Sequence, residues 1–96
     1  MIIAVDFDGT LKVGNEPNLK LIQLLRVKQV HGAKVILWTC REGKALSDAL
    51  LFLGKYGFKP NYVNQNAPEA VAMLKRDPRK VYADVYIEDK AVGYIK

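Results

Sequence analysis

Four short stretches, Ile2–Val5, Val35–Trp38, Tyr62–Val63 and Val85–Ile87, are apolar at consecutive positions, not at alternate ones. A strand with one face in water alternates apolar and polar residues, whereas a strand covered on both faces does not. Helical patterns separate these stretches. The first runs from about Pro17 to His31, with Leu19, Ile22, Leu25 and Val30 at roughly helical spacing and Gly32 as its stop. The second runs from about Lys44 to Tyr56, with Leu46, Ala49, Leu50 and Leu53 on one side and Gly57 beyond it. A short third begins at Pro68, takes in Val71, Ala72 and Leu74, and ends before Asp77-Pro78. Strands alternating with helices, joined by right-handed crossovers, predict an α/β fold. The expected form is a small doubly wound parallel sheet of four or five strands with helices on both faces.

A chain of 96 residues is read as one domain, 1–96, because domains run from about 50 to about 250 residues. No apolar run approaches the ~20 residues that span a bilayer, and the start has neither the cationic nor the apolar segment of a signal peptide. The single cysteine, Cys40, has no partner for an internal disulfide, so the expected setting is the reducing cytoplasm.

Ligands of doubly wound sheets bind beyond the carboxyl ends of the strands, where strand order reverses. The charged residues fall at that rim. Asp6 and Asp8 follow the first strand, Thr39, Cys40 and Arg41 follow the second, and Glu88-Asp89 follows the last. Removing those four acids from the total of 10 leaves six against 15 Lys and Arg, and the chain carries a net charge of +5. Such a surface favours anionic partners, whether phosphorylated metabolites or nucleic acid.

Four neighbouring carboxylates repel one another unless a cation holds them. Mg²⁺ suits an all-oxygen set and keeps coordination positions for water and substrate phosphate. Zinc has no His/Cys cluster to hold it, and His31, beside Gly32, is expected to be a structural residue at a helix end. With a divalent ion in place, one aspartate can attack a phosphoryl group. An acid two residues on can protonate the leaving oxygen and later activate water. Gly9 gives the chain freedom to turn after Asp6, and free amides of that turn at Gly9 and Thr10 would grip phosphate oxygens. Thr39 offers a hydroxyl to another oxygen.

Asp6-Phe7-Asp8-Gly9-Thr10 resembles the DxDGT first motif of the haloacid dehalogenase (HAD) superfamily of phosphotransferases. Ile36-Leu37-Trp38-Thr39 is similar to its second motif, and Val85-Tyr86-Ile87-Glu88-Asp89 to the acidic pair of its fourth. The resemblance spans nearly the whole chain in the right order. It implies a Rossmann-like, HAD-type sheet and a Mg²⁺-dependent phosphatase acting through an aspartyl-phosphate. It also implies Asp6 as nucleophile, Asp8 as acid/base with its carbonyl on the metal, and Asp89 as metal ligand. Glu88 stands where the family often has Asp, and holds the ion or its water.

The family's third motif, a phosphate-neutralising lysine, has three candidates. Lys80 fits by pattern, yet would start about 20 Å from the rim if residues 81–87 formed one strand. It serves only if 80–84 loop back. Arg41 and Lys90, just past strand ends, are its rivals.

A receiver domain needs an aspartate after its third strand, where this chain has Tyr62-Val63-Asn64-Gln65-Asn66. A cysteine phosphatase needs an arginine six positions after Cys40, and position 46 is Leu46. A catalytically inactive module that binds metal or nucleic acid remains the alternative, although no aromatic residues interleave with the bases in a stacking pattern. Only about eight residues, Gly9 to Glu16, separate Asp8 from the first helix, and no insertion of domain size follows either of the next strands, so the resemblance implies a form without a cap over the site. Two physical solutions follow: a large phosphorylated substrate, such as a nucleic acid end or a phosphoprotein, or a second copy of the chain closing the site.

Overall fold

In the computed structural model, residues 1–75 and 81–88 are described in full, together with the backbone of 91–94. The central strand is β1 (Ile2–Val5), buried at all four positions. β4 (Lys34–Leu37) pairs with it in parallel on one side, Val5 opposite Leu37. β6 (Val85–Glu88) pairs with it in parallel on the other, Val5 opposite Ile87. Beyond β4 lies β5 (Tyr62–Val63), and beyond β6 lies β7 (Ala91–Tyr94), which is antiparallel. The order β5-β4-β1-β6-β7 makes a five-stranded sheet in which the expected four parallel strands carry an antiparallel edge. The chain steps outward from β1 to β4 to β5, then returns to the opposite side of β1. The reversal of strand order therefore falls between β1 and β6.

Among the described residues three helices cover the sheet: α1 (Leu19–Val30), α2 (Gly43–Lys55) and α3 (Pro68–Leu74). Ile3, Val5, Val35, Leu37 and Val85 meet Ile22 and Leu25 of α1 and Ala49 and Leu53 of α2 on one face. Ile2, Ala4 and Ile36 meet Ala70 of α3 on the other. The doubly wound α/β arrangement expected from the apolar runs is the one found. Burying a side chain such as Leu25 or Leu53 contributes roughly 1.5–3 kcal/mol.

Several boundaries differ from the sequence reading. α1 starts at Leu19, not Pro17, because the Asn18 side chain accepts a hydrogen bond from the Leu21 amide and caps the helix. Pro17 belongs instead to a hairpin between β1 and α1, formed by β2 (Lys12–Val13) and β3 (Glu16–Pro17). Leu19 and Val30, expected in the core, are exposed, while Ile22 and Leu25 are buried. α1 is apolar around much of its circumference, so spacing alone did not mark its inner side. β4 begins one residue earlier than expected and stops before Trp38. His31 caps the C-terminus of α1, its amide donating to the Val27 and Lys28 carbonyls. Gly32 and Gly57, at φ 96° and 75°, end α1 and α2 in conformations that strain other residues.

Candidate active site at the strand-order reversal

The parallel register places Asp6, which follows Val5, beside Glu88, which follows Ile87. The Asp6 amide donates to the Ile87 carbonyl at 3.0 Å, extending the ladder one step past β1. Neighbouring strands lie about 4.8 Å apart. Two carboxylate residues thus sit side by side at the carboxyl ends of adjacent strands, across the reversal. Side chains alternate along a strand, so Asp6 and Glu88 share the parity of Ala4 and Tyr86 and belong to the α3 face. They line one cleft of about 280 Å³ with Trp38, Thr39, Cys40, Val81 and Tyr86.

The turn after Asp6 forms as Gly9 allowed. Gly9 has φ 80°, and the amides of Thr10, Leu11 and Lys12 all donate to the Phe7 carbonyl. The Gly9 amide donates to the Lys12 carbonyl at 2.8 Å and the Phe7 amide to Asp6 Oδ1 at 2.8 Å. The Gly9 and Thr10 amides, expected to grip phosphate oxygens, are therefore spent inside the turn. Gly9 and Thr10 line a separate hollow with Asn18, Lys20, Leu21 and Glu88. The Thr10 hydroxyl is buried, with no hydrogen-bond partner among the described residues. The bond to the Phe7 amide fixes the Asp6 carboxylate by one oxygen.

Asp8 is held differently. Arg41 Nε donates to Asp8 Oδ2 at 2.9 Å and Nη2 to Oδ1 at 2.8 Å, a two-pronged ion pair. Arg41 also donates from Nη1 to the Ala45 carbonyl at 3.1 Å and lies 4.8 Å from the centre of the Phe7 ring. The hydrogen bonds from Arg41 hold the Asp8 carboxyl below its usual range against a smaller opposing effect of burial, with added attraction from Arg41 and Lys12. The same pairing raises the Arg41 guanidinium.

Thr39 is positioned from two sides. Its amide donates to Asn64 Oδ1 at 2.8 Å, and its hydroxyl oxygen accepts from the Arg41 amide at 3.1 Å, which leaves the hydroxyl hydrogen to donate elsewhere. Asn64 itself adopts φ 52°. Sequence reasoning passed over Asn64; a short amide side chain just after a strand, able to enter the left-handed region, was the available signal.

Lys80, Asp89 and Lys90 lie outside the described residues. The segment after Lys80, however, does not continue β6 backwards as one strand. Residues 81–84 fold against the α3 face: Tyr82 donates its amide to Asn66 Oδ1 at 2.6 Å, and the Tyr86 hydroxyl donates to the Val81 carbonyl. Asp84 ends this run by clamping β1, accepting from the Ile2 amide at 2.7 Å and donating its own amide to the Ile2 carbonyl at 2.8 Å. Val81, next in sequence to Lys80, lines the Asp6 cleft.

Among the described residues no three His, Cys, Asp or Glu side chains gather as a metal site; Asp89 falls outside them. Beside the Thr39 and Tyr86 hydroxyls and the Cys40 thiol, the charged donors that line the cleft are the two carboxylates of Asp6 and Glu88. That set fits Mg²⁺, which binds through one or two carboxylates plus water and phosphate. No described helix is long and apolar enough to cross a membrane.

No family model and no curated protein matches the chain. A solved structure of a conserved protein from Bacteroides thetaiotaomicron is similar over 100% of this chain and 81% of its own, at 33% identity and a TM-score of 0.80. The chain belongs to the same family as that protein.

Proposed function

We propose that the chain is a HAD-type, Mg²⁺-dependent phosphomonoester hydrolase whose nucleophile is Asp6. The observation that carries this reading is the side-by-side placement of Asp6 and Glu88 at the strand-order reversal, in a cleft shared with Thr39. Like charges at neighbouring strand ends cost stability unless a cation offsets them. Asp6 and Glu88, with Asp89 as the further expected ligand, would hold Mg²⁺, which offsets the negative charge of a bound phosphoryl group.

The chain's own residues then divide the work. Asp6, oriented through its bond to the Phe7 amide, attacks phosphorus with a carboxylate oxygen. The phosphorus–ester oxygen bond breaks, and Asp8 supplies a proton to the departing alkoxide. In the second half, Asp8 takes a proton from water as it attacks the aspartyl-phosphate, releasing phosphate and restoring Asp6. The Thr39 hydroxyl donates to a phosphoryl oxygen. Arg41 leaves Asp8 for the phosphate, a better match for its planar fork, which frees Asp8 to carry protons. Lys80 is the first candidate for the remaining charge on the phosphate.

One observation favours a second reading, a binding module without turnover: Asp8 is engaged by Arg41 and held ionised. The discriminating experiment is hydrolysis of an aryl phosphate and a panel of phosphate esters, with Mg²⁺ and with chelator. Chelator-sensitive turnover is expected. Inactivity across the whole panel in Mg²⁺ would leave the binding module.

A further inference from the structure

We infer that Trp38 selects the organic part of the substrate: the Asp6 cleft takes phosphomonoesters of phenols, with the aromatic ring seated against the indole beside the nucleophile. This rests on the hydrolase reading for the phosphoryl group and names the substrate class of that same cleft.

The register fixes the placement. Ala4 pairs with Ile36 on one side and Tyr86 on the other, and Val5 pairs with Leu37 and Ile87. One step further along, Asp6 therefore stands between Trp38 and Glu88. The ladder reaches that step on both sides: the Trp38 amide donates to the Val5 carbonyl at 2.9 Å and the Asp6 amide to the Ile87 carbonyl at 3.0 Å. Side chains alternate, so Trp38 shares the α3 face with Ile36, as Asp6 does with Ala4 and Glu88 with Tyr86. With strands about 4.8 Å apart, the indole is the immediate neighbour of the attacking carboxylate. Aromatic rings pair with centroids about 4.5–7 Å apart, so a ring bonded directly to the ester oxygen of a phosphoryl group on Asp6 comes within reach of it. Beneath them Ala4, which lines the cleft, offers only a methyl group between Ile36 and Tyr86.

The walls are apolar and held in place. Trp38, Val81 and Tyr86 line the cleft and pack against the core on the α3 face. The Tyr86 hydroxyl accepts from the Ala83 amide at 3.2 Å and donates to the Val81 carbonyl, so it is spent within the wall. Asp6 and Glu88 serve the metal and the phosphorus, and the Thr39 hydroxyl serves a phosphoryl oxygen. Among the described residues this leaves the Cys40 thiol, a weak hydrogen-bonding group, as the remaining polar side chain of the cleft. The hydroxyls of a sugar phosphate would give up water there without gaining partners, which costs affinity. A planar ring has no such groups to satisfy. The cleft volume of about 280 Å³ lies at the lower end of small-molecule pockets, which run from about 300 to 1,000 Å³, and suits a phosphoryl group and one ring.

The test is calorimetric binding of phenylphosphonate, cyclohexylphosphonate and methylphosphonate to wild-type protein in Mg²⁺; their phosphorus–carbon bonds keep turnover out of the measurement. Phenylphosphonate should bind about 3–10-fold more tightly than cyclohexylphosphonate, the range of one aromatic pair. Both rings have the same number of carbons, so apolar burial alone gives a ratio of one or less. Trp38 is the single tryptophan of the chain, and its emission should shift with phenylphosphonate and not with methylphosphonate. Trp38→Leu should bring the ratio to one while leaving methylphosphonate affinity unchanged. Trp38→Phe keeps a ring, serves if Trp38→Leu does not fold, and should hold the ratio above one. A wild-type ratio near one, or a ratio that survives Trp38→Leu, overturns the proposal. Comparing kcat/KM for free phosphotyrosine and for a phosphotyrosine peptide then tells a small phenol ester from a protein side chain, and a higher value for glucose 6-phosphate than for either also overturns it. If wild-type protein hydrolyses phosphate esters but binds the two ring phosphonates alike, the aromatic seat falls and the hydrolase stands. If it hydrolyses nothing yet shows the Trp38-dependent ratio, the reverse holds.

Discussion

Replacing Arg41 by Ala removes a two-pronged ion pair to Asp8, a hydrogen bond to the Ala45 carbonyl and the contact with the Phe7 ring. The pair lies at the surface, with the Asp8 side chain 60% exposed and that of Arg41 24%, so solvent screens it and it contributes at most about 1 kcal/mol. The ring contact adds about 0.5–1 kcal/mol. Arg41→Ala should therefore cost about 1–2 kcal/mol, a fall in Tm of about 5–15 °C for a domain of this size. The pH dependence follows from the depressed Asp8 carboxyl. A group whose folded pKa is lowered stabilises the fold above its unfolded pKa, and loses that contribution as pH falls through the folded value. The ion-pair part of the difference should be constant from neutral pH down to about 5 and shrink below the ordinary carboxyl pKa of about 3.9. Thermal unfolding of wild type, Arg41→Ala, Asp8→Asn and the double variant at a series of pH values measures this as a coupling energy. Coupling of about 0.5–1 kcal/mol at pH 7 that declines in acid is expected. Zero coupling at pH 7, or equal coupling at pH 3, would refute the pairing argument.

Asp8→Asn should slow hydrolysis by about 10²–10⁴-fold, the scale of general acid–base catalysis, and let phosphorylated protein accumulate in rapid-quench samples. Asp84→Ala leaves the buried Ile2 amide without its side-chain acceptor and should cost about 1–3 kcal/mol in denaturant unfolding, with activity of the folded fraction retained. Lys80→Ala should lower kcat/KM more than Lys90→Ala does; unchanged kinetics in Lys80→Ala would move the phosphate-neutralising role to Arg41 or Lys90.

The sheet was legible because its strands are short apolar runs with no alternation, a pattern that water on either face forbids. Asp6 and Glu88 were legible for the same reason: each ends such a run, and parallel strands bring their carboxyl ends to one rim. The elements that escaped notice have weak local signals. Lys12–Val13 and Glu16–Pro17 are two residues each, too short for any periodicity, and owe their pairing to Gly14 at φ 62°. Ala91–Tyr94 contains Gly93, a poor strand former, and is held by its partner β6 rather than by its own propensity. The ion pair of Asp8 with Arg41 joins residues 33 apart, a distance across which no sequence spacing speaks. The amides of Gly9 and Thr10 were assigned to a ligand because glycine marks a turn without saying which carbonyl closes it; the Phe7 carbonyl accepts from Thr10, Leu11 and Lys12 alike.

The central claim is that Asp6 forms a covalent bond to phosphorus. Wild-type protein turning over an aryl phosphate in Mg²⁺ is quenched in acid and treated with borohydride, which reduces an acyl phosphate to an alcohol. Mass analysis of the peptide around residue 6 should then show Asp6 converted to homoserine, with no conversion and no turnover in Asp6→Asn. Conversion at another carboxylate, or Mg²⁺-dependent hydrolysis that persists in Asp6→Asn, would contradict the account.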